Sequence, residues 1–425
     1  MYKPTIVIIA DGWTRRVFLS LLESGELPEI DEHLMCGGVL IRNLVSNVCS
    51  VSMASHVSIL TSSYIDEHHI PGHRWLNRDS HKVVNYLGPL GSKKVNRDVA
   101  KTISSIFTNS AFKTFSVQEP VTLDVDRKII LPRMRAKGIM RKASRLVLKN
   151  PNSTIAIWLP KVDELSHRYG PDSRQVAAEM VDTSKAFGSF VLFLKKQGLL
   201  GGARILFLPD HGQRRVAQAK GVQLKKIMEL TGEKFLINPM FFANKNLILT
   251  SGDSFAQIYF EPHSSLTKAV VAERIRSEKT IELICWRDEE KWFFVNRFGS
   301  VEVEPLGDDC CYVKLLDGVN PLGAELMGNI NLSEPVLDKG KYPDFLHQIM
   351  RSYVTGRSGD LFLFAAKDFH FGVSPRIGWN FGRHKGTHGG PFEDEVMVAA
   401  ICYGFDVPKK SGIRSADLIQ MLGLV

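Results

Sequence analysis

Four short apolar runs constrain this chain more than anything else in it: Thr5 to Ala10, Ser153 to Leu159, Arg204 to Leu208 and Val396 to Cys402. A strand that is apolar along its whole length, rather than at every second residue, is covered on both faces. Helical patterns lie between the runs, at Ser52 to Thr61 and at Arg174 to Lys196. The second keeps apolar residues at Val176, Met180, Phe187, Phe190, Val191 and Leu194. Strands alternating with helices predict an α/β fold, a three-layer α/β/α sandwich around a mostly parallel central sheet. Each run is followed within a few residues by a polar cluster containing Asp, His or Gly. Ligands of open α/β sheets bind beyond the carboxyl ends of the strands, so these clusters are expected to converge on one site.

The stretch from about residue 250 to 383 reads differently. It holds shorter strand-like pieces at Glu282 to Trp286 and Lys291 to Val295, turn signals at Asn296 to Gly299, and a helix near Tyr342 to Tyr353. The expected organisation is a catalytic core from 1–250 and 386–425, with 251–385 as a smaller inserted subdomain or cap. A chain of 425 residues has room for one large α/β domain carrying such an insertion. At 44% hydrophobic and 23% charged residues the composition excludes a disordered or fibrous protein.

The formal net charge of +9 favours anionic ligands. Seven Lys or Arg fall between Arg133 and Lys149, and such a run is usually the solvated face of a helix. It lacks the interleaved aromatics on which single-stranded bases stack, so a nucleic-acid partner is not expected. The six cysteines show no metal-binding or disulfide spacing and are expected to be reduced. The first apolar run is too short to span a membrane and has no small-residue cleavage site. A soluble, cytoplasmic protein with no membrane partner is the expectation.

Five segments carry the residue types that do chemistry: Ala10-Asp11-Gly12, Ser52-Met-Ala-Ser-His56, Asp163-Glu-Leu-Ser-His167, Asp210-His211-Gly212 and Gly386-Thr-His388-Gly389. Carboxylates mixed with imidazoles suit zinc or a similar divalent ion. Asp163 and His167 are four apart, which on a helical turn puts both on one face. Each segment also has a plain structural reading. Asp-Gly and Asp-His-Gly are turn compositions, and Asp163 can be a helix-start carboxylate. Ser52 can be the N-cap of the helix it opens, or a nucleophile beside the N–H groups and positive potential of that helix start.

The ordered set resolves the choice. Ser52-Met-Ala-Ser-His-Val-Ser-Ile-Leu-Thr-Ser-Ser-Tyr64, with Glu67-His-His-Ile-Pro-Gly72 after it, resembles the nucleophile region of the type I phosphodiesterase/nucleotide pyrophosphatase family. That region reads Thr-Phe-Pro-Asn-His, then a Thr-Gly helix end and a His-Gly-Ile-x-Gly-Asn turn. Asp163-Glu-Leu-Ser-His-Arg-Tyr-Gly-Pro171 looks like the family's Asp-x-x-x-His-x-x-Gly-Pro, Pro209-Asp-His-Gly212 its Ser-Asp-His-Gly, and Gly386-Thr-His-Gly389 its closing histidine motif. The resemblance implies an alkaline phosphatase-like core.

Carried over position by position, it implies two divalent ions, zinc first and manganese or another ion as alternatives. Asp11, Asp210, His211 and the nucleophile Ser52 would hold one, and Asp163, His167 and His388 the other. Two ions about 4 Å apart can clamp an in-line displacement. Two departures from the family bear on the chemistry: Ser52 stands where Thr is usual, and His73 stands where an Asn meets a phosphate oxygen. His73 is therefore the expected substrate-binding residue, with a turn histidine packed on Trp75 as its plain reading. The implied activity is hydrolysis of a phosphodiester or nucleotide pyrophosphate bond in a small anionic substrate, through covalent Ser52. Phosphomonoester, phosphonate or phosphate-transfer chemistry is the alternative on the same scaffold, and a binding protein without catalysis is the alternative of another class. No Cys-x-Pro-x-Arg or Ser-x-Pro-x-Arg motif occurs, which disfavours a sulfatase.

Overall fold

Thr5–Ala10 lies at the centre of an eight-stranded sheet, with all six residues buried. It pairs in parallel with Thr154–Leu159 on one side and Arg204–Leu208 on the other, Ile6 standing beside Ile155 and Ile205. The two-residue period of a strand divides its side chains between two cores. Ile6, Ile8 and Ala10 pack with Phe18, Met180, Phe187 and Phe190 on one face. Val7 and Ile9 pack with Val57, Leu60 and Leu418 on the other. Helices Arg15–Glu23, Ala136–Lys149 and Arg174–Lys196 cover the first face, and Ser52–Thr61 and Ser415–Met421 the second. This is the three-layer sandwich expected from the uninterrupted apolar runs. The computed structural model describes residues 3–88, 90–131, 135–217, 224–239, 245–261, 266–371 and 384–425.

Across the sheet the strands run Ile413–Arg414, Gly38–Val45, Met397–Tyr403, Arg204–Leu208, Thr5–Ala10, Thr154–Leu159, Thr114–Val117 and Arg127–Ile129. Met397–Tyr403 is antiparallel to both neighbours, and the other pairs are parallel. This strand starts one residue later than its sequence suggested, because Glu393–Val396 is a short helical turn.

A second sheet of nine strands is built between Phe235 and Asn331, with Leu361–Ala365 inserted at its middle. All of its neighbouring pairs are antiparallel except Phe235–Ile237 with Leu247–Gly252. The pieces expected at Glu282 and Lys291 are the hairpin Ile281–Asp288 and Lys291–Asn296. Asn296 Oδ1 closes the next turn by accepting from the N–H groups of Phe298 and Gly299 at 2.8 and 3.2 Å. The helix expected near Tyr342 is shorter, Phe345–Met350. One apolar cluster joins the sheets, with Val45, Val48 and Met397 of the core packed with Phe294, Phe345 and Phe364.

The basic run behaves as a solvated face. In Ala136–Lys149, Ile139, Met140, Ala143 and Val147 are buried, while Lys137, Arg141, Arg145 and Lys149 are exposed. Arg133 lies outside the described residues. All six cysteines are free. Among the described residues no helix is long and apolar enough to cross a membrane.

Candidate functional site

Three parallel strands end at the site. Asp11 follows Thr5–Ala10, Asp210 and His211 follow Arg204–Leu208, and helix Lys161–Tyr169 begins after Thr154–Leu159. That helix puts Asp163 in its first turn and His167 in its last, with Asp163 Oδ1 3.4 Å from His167 Nε2. Gly170, at φ +92°, ends it as a residue that takes positive φ without strain, and Pro171 follows. His388 comes from the segment preceding the antiparallel strand, and its Nε2 lies 3.7 Å from Asp163 Oδ1.

Ser52 is the first residue of its helix, not its cap. Val51 holds the cap position, and no side chain caps this end. The Ser52 hydroxyl is instead 3.2 Å from His211 Nε2. His211 Nε2 is in turn 3.3 Å from Asp210 Oδ2 and 3.6 Å from Asp11 Oδ1. The His211 and His388 rings stack with centroids 3.8 Å apart, so the two groups of residues are adjacent.

Backbone carbonyls orient the imidazoles. Nδ1 lies 3.0 Å from Gly212 O in His211, 2.7 Å from Ser50 O in His388 and 3.0 Å from Gly386 O in His167. A carbonyl only accepts, so Nδ1 carries the proton, and burial keeps His211 and His388 neutral, so their Nε2 atoms present lone pairs to the site. This arrangement is usual for metal-binding histidines. His56 is different: Nδ1 is 2.9 Å from both Glu119 oxygens, and Nε2 is 3.2 Å from Asp210 Oδ2. Burial disfavours its charge, but Glu119 and Asp210 outweigh burial and hold the imidazole protonated well above its ordinary range.

The carboxylates are crowded. Burial, with Asp210 and Asp163 adding, pushes the Asp11 carboxyl well above its usual value. Burial raises Asp163 as well, against the pull of His167 and His388. Burial pushes Asp210 the same way, but His211 and His56 outweigh it and hold this carboxyl below its usual range. Asp11 Oδ2 accepts from Trp158 Nε1 at 2.7 Å, and Asp210 Oδ1 accepts from the Gly12 and His211 N–H groups at 3.2 and 3.0 Å. Of their other oxygens, Asp210 Oδ2 faces the charged His56 Nε2 at 3.2 Å, whereas Asp11 Oδ1 is buried without a hydrogen-bond partner in the protein. A buried carboxylate oxygen without a donor, 3.6 Å from His211 Nε2, is costly alone and suits a divalent cation. The ligand atoms of Asp11, Asp210 and His211 lie within 4.8 Å of one another, as do those of Asp163, His211 and His388.

The seven residues read as metal ligands from the sequence thus meet in one place. His73 is buried beside another turn, where a Cβ on Gly252 would meet its ring at 3.8 Å. Burial lowers it to about 3, so the imidazole is neutral, and its Nδ1 has no hydrogen-bond partner in the protein. Sequence reasoning missed Glu119, which orients His56, and Asp253, whose ligand atom lies within 4.8 Å of those of His167 and His388. Asp253 sits in a Ser-Gly-Asp-Ser stretch, an ordinary turn composition with no mark of a site.

A mostly parallel sheet with acids and imidazoles gathered at its strand ends, and a serine opening the adjacent helix, defines a phosphoric ester hydrolase of alkaline phosphatase-like architecture. The family model for type I phosphodiesterase/nucleotide pyrophosphatase matches residues 5–390, and the chain belongs to that family. Murine ectonucleotide pyrophosphatase/phosphodiesterase 5 shares its fold, with a TM-score of 0.64 at 13% identity over 99% of this chain and 95% of the other. An inactive variant of the same murine protein in complex with AMP gives 0.63 at 12% identity over the same shares. No curated protein sequence matches.

Proposed function

We propose that this enzyme cleaves a phosphodiester or nucleotide pyrophosphate bond by attack of Ser52, at a centre that holds two divalent ions. The observation that carries this reading is the Ser52 hydroxyl at a helix start, 3.2 Å from His211 Nε2, among buried carboxylates of which one oxygen, Asp11 Oδ1, has no hydrogen-bond partner. Asp11, Asp210, His211 and Ser52 would hold one ion, and Asp163, His167 and His388 the other. Zinc suits this mixture of oxygen and nitrogen donors, with manganese next. Bound there, divalent ions supply the positive charge that favours an ionised Ser52 hydroxyl and neutralises phosphoryl oxygens.

The chain's own groups do the rest. The free N–H groups in the first turn of Ser52–Thr61 are donors for a phosphoryl oxygen. His73, neutral in its buried setting, donates to a non-bridging oxygen in place of the family's Asn. Ser52 gives up its proton as Oγ bonds to phosphorus and the scissile P–O bond breaks, the leaving group departing as an alcohol from a diester or as a phosphate from a pyrophosphate. Water then attacks the same phosphorus, its oxygen leaving with the phosphate product and a proton returning to Ser52 Oγ. The AMP bound to the inactive murine relative supports a nucleotide-sized substrate. The second sheet, which begins at Phe235 and fills much of the proposed 251–385 subdomain, borders the site through Asp253 and would shape specificity.

The change to His73 favours one second reading, phosphomonoester, phosphonate or phosphate-transfer chemistry on the same scaffold. Bis(p-nitrophenyl) phosphate and p-nitrophenyl phosphate separate the two. A higher kcat/KM for the diester is expected, and a clear reversal moves the assignment to the second reading.

A further inference from the structure

The second sheet reaches the site through a two-residue turn. Leu247–Gly252 and Phe255–Phe260 are antiparallel neighbours with Gly252 opposite Phe255, leaving Asp253 and Ser254 at the tip. Asp253 has φ +53°, a conformation that Asp and Asn tolerate better than other non-glycine residues. The turn is fastened to the His388 segment. Ser254 N–H donates to His388 O at 2.8 Å, and the Ser254 and Thr387 hydroxyls are 3.0 Å apart. Arg214 donates to Ser254 Oγ at 3.0 Å, and the Phe371 N–H donates to Asp253 O at 2.6 Å.

So fixed, the Asp253 carboxylate faces three imidazoles. Its Oδ2 is 3.7 Å from His388 Nε2, and its Oδ1 is 3.8 Å from His384 Nδ1 and 4.0 Å from His167 Nδ1. These separations are too long for hydrogen bonds. The His388 separation approaches the ~3.3 Å between donor atoms around a tetrahedral ion bound at 2.0–2.1 Å, whereas His167 Nδ1 is already taken by Gly386 O. Asp163 Oδ1 stands at the same 3.7 Å from His388 Nε2. Asp253 therefore relates to the lone pair of His388 as Asp163 does.

We propose that Asp253 is a further protein ligand of the ion held by Asp163, His167 and His388, supplied by the second sheet and lying outside the motifs that mark the family. This rests on the two-ion reading above. Four carboxylates, Asp11, Asp163, Asp210 and Asp253, balance the charge of two divalent ions. A four-ligand zinc site can still expand to a fifth position for a substrate oxygen. The ligand also makes the ion a fastener between the two sheets.

Zinc content and affinity of the purified full chain, measured in chelator-buffered zinc, test this. Wild type should bind two ions. Asp253→Asn keeps the side-chain size and the left-handed turn, and should keep one ion at wild-type affinity while the other weakens ~10-fold or more, the scale typical of losing a supporting group at a metal. Asp253→Glu, which restores a carboxylate, should recover part of that loss. Cobalt-loaded protein gives an independent reading, since loss of a carboxylate ligand shifts its visible absorption. Unchanged affinities and spectrum in Asp253→Asn overturn the proposal, as does an equal loss in both variants, which would make the turn and not the carboxylate responsible. Wild type binding fewer than two ions overturns the two-ion reading itself, a separate and recognisable failure.

Discussion

At the scale of the residue, Ser52 carries two readings that the structure separates. A serine that opens a helix is ordinarily its cap, and losing a cap costs about 0.5–2 kcal/mol. Here the cap position belongs to Val51 and the hydroxyl turns to His211. Ser52→Ala should therefore melt within a few degrees of wild type, since it removes neither a cap nor a packed side chain. It should nevertheless lose several orders of magnitude in turnover, because the covalent path goes with the hydroxyl. Ser52→Thr keeps a hydroxyl, and the resembling family uses Thr there, so measurable activity should remain. Wild type quenched in acid during turnover should carry substrate phosphorus on the peptide containing Ser52. Full turnover in Ser52→Ala with no adduct would replace the covalent mechanism by direct attack of water.

At the scale of the element, the site depends on how closely the end of the first strand approaches the helix carrying Asp163. Gly12 makes that turn at φ +70°, and a Cβ there would lie 2.9 Å from the Asp163 Cα. Gly12→Ala meets two penalties, about 1–2 kcal/mol for a left-handed alanine and the displacement of a backbone that cannot yield cheaply. Its expected signature is a lowered Tm together with weakened zinc binding, read by calorimetry and chelator competition. A variant with wild-type zinc affinity would mean that Asp163 is not held by this contact. The same scale explains what the sequence made legible. Thr5–Ala10 and Arg204–Leu208 stood out because strands buried on both faces must be apolar throughout, and the acids at their ends lie one or two residues away. Asp163 and His167 stood out because one helical turn brings residues four apart together. Glu119 did not, although it follows strand Thr114–Val117 by two residues, because that Thr-Phe-Ser-Val is too short and too polar to read as a strand. Asp253 did not, because it reaches the site only where the second sheet docks on the core. No local period records such an approach.

At the scale of the whole molecule, the two sheets are joined by the apolar cluster of Val45, Val48 and Met397 with Phe294 and Phe364, and by the polar site where Ser254 bonds to His388. The apolar joint and the two cores flanking the central sheet contain none of the ligand residues, so the fold should persist without metal. The polar joint should not be indifferent. Stripped of ions, the crowded acids Asp11, Asp163, Asp210 and Asp253 face one another with less compensation, and the native state loses whatever the bound ions contributed. Each ion contributes about 2.7 kcal/mol when its free concentration is a hundredfold above its dissociation constant. Chelator-treated protein should therefore keep its far-UV circular dichroism, lose turnover and unfold at a lower temperature, with readded zinc or manganese restoring both. The shift should grow with the free metal concentration at which the loaded protein is measured, because mass action sets it. Protein that is freed of metal yet keeps its Tm and full activity would remove the ions from both stability and catalysis. Protein that loses its far-UV signal on chelation would instead mean that the apolar joint is too weak to hold the sheets together alone.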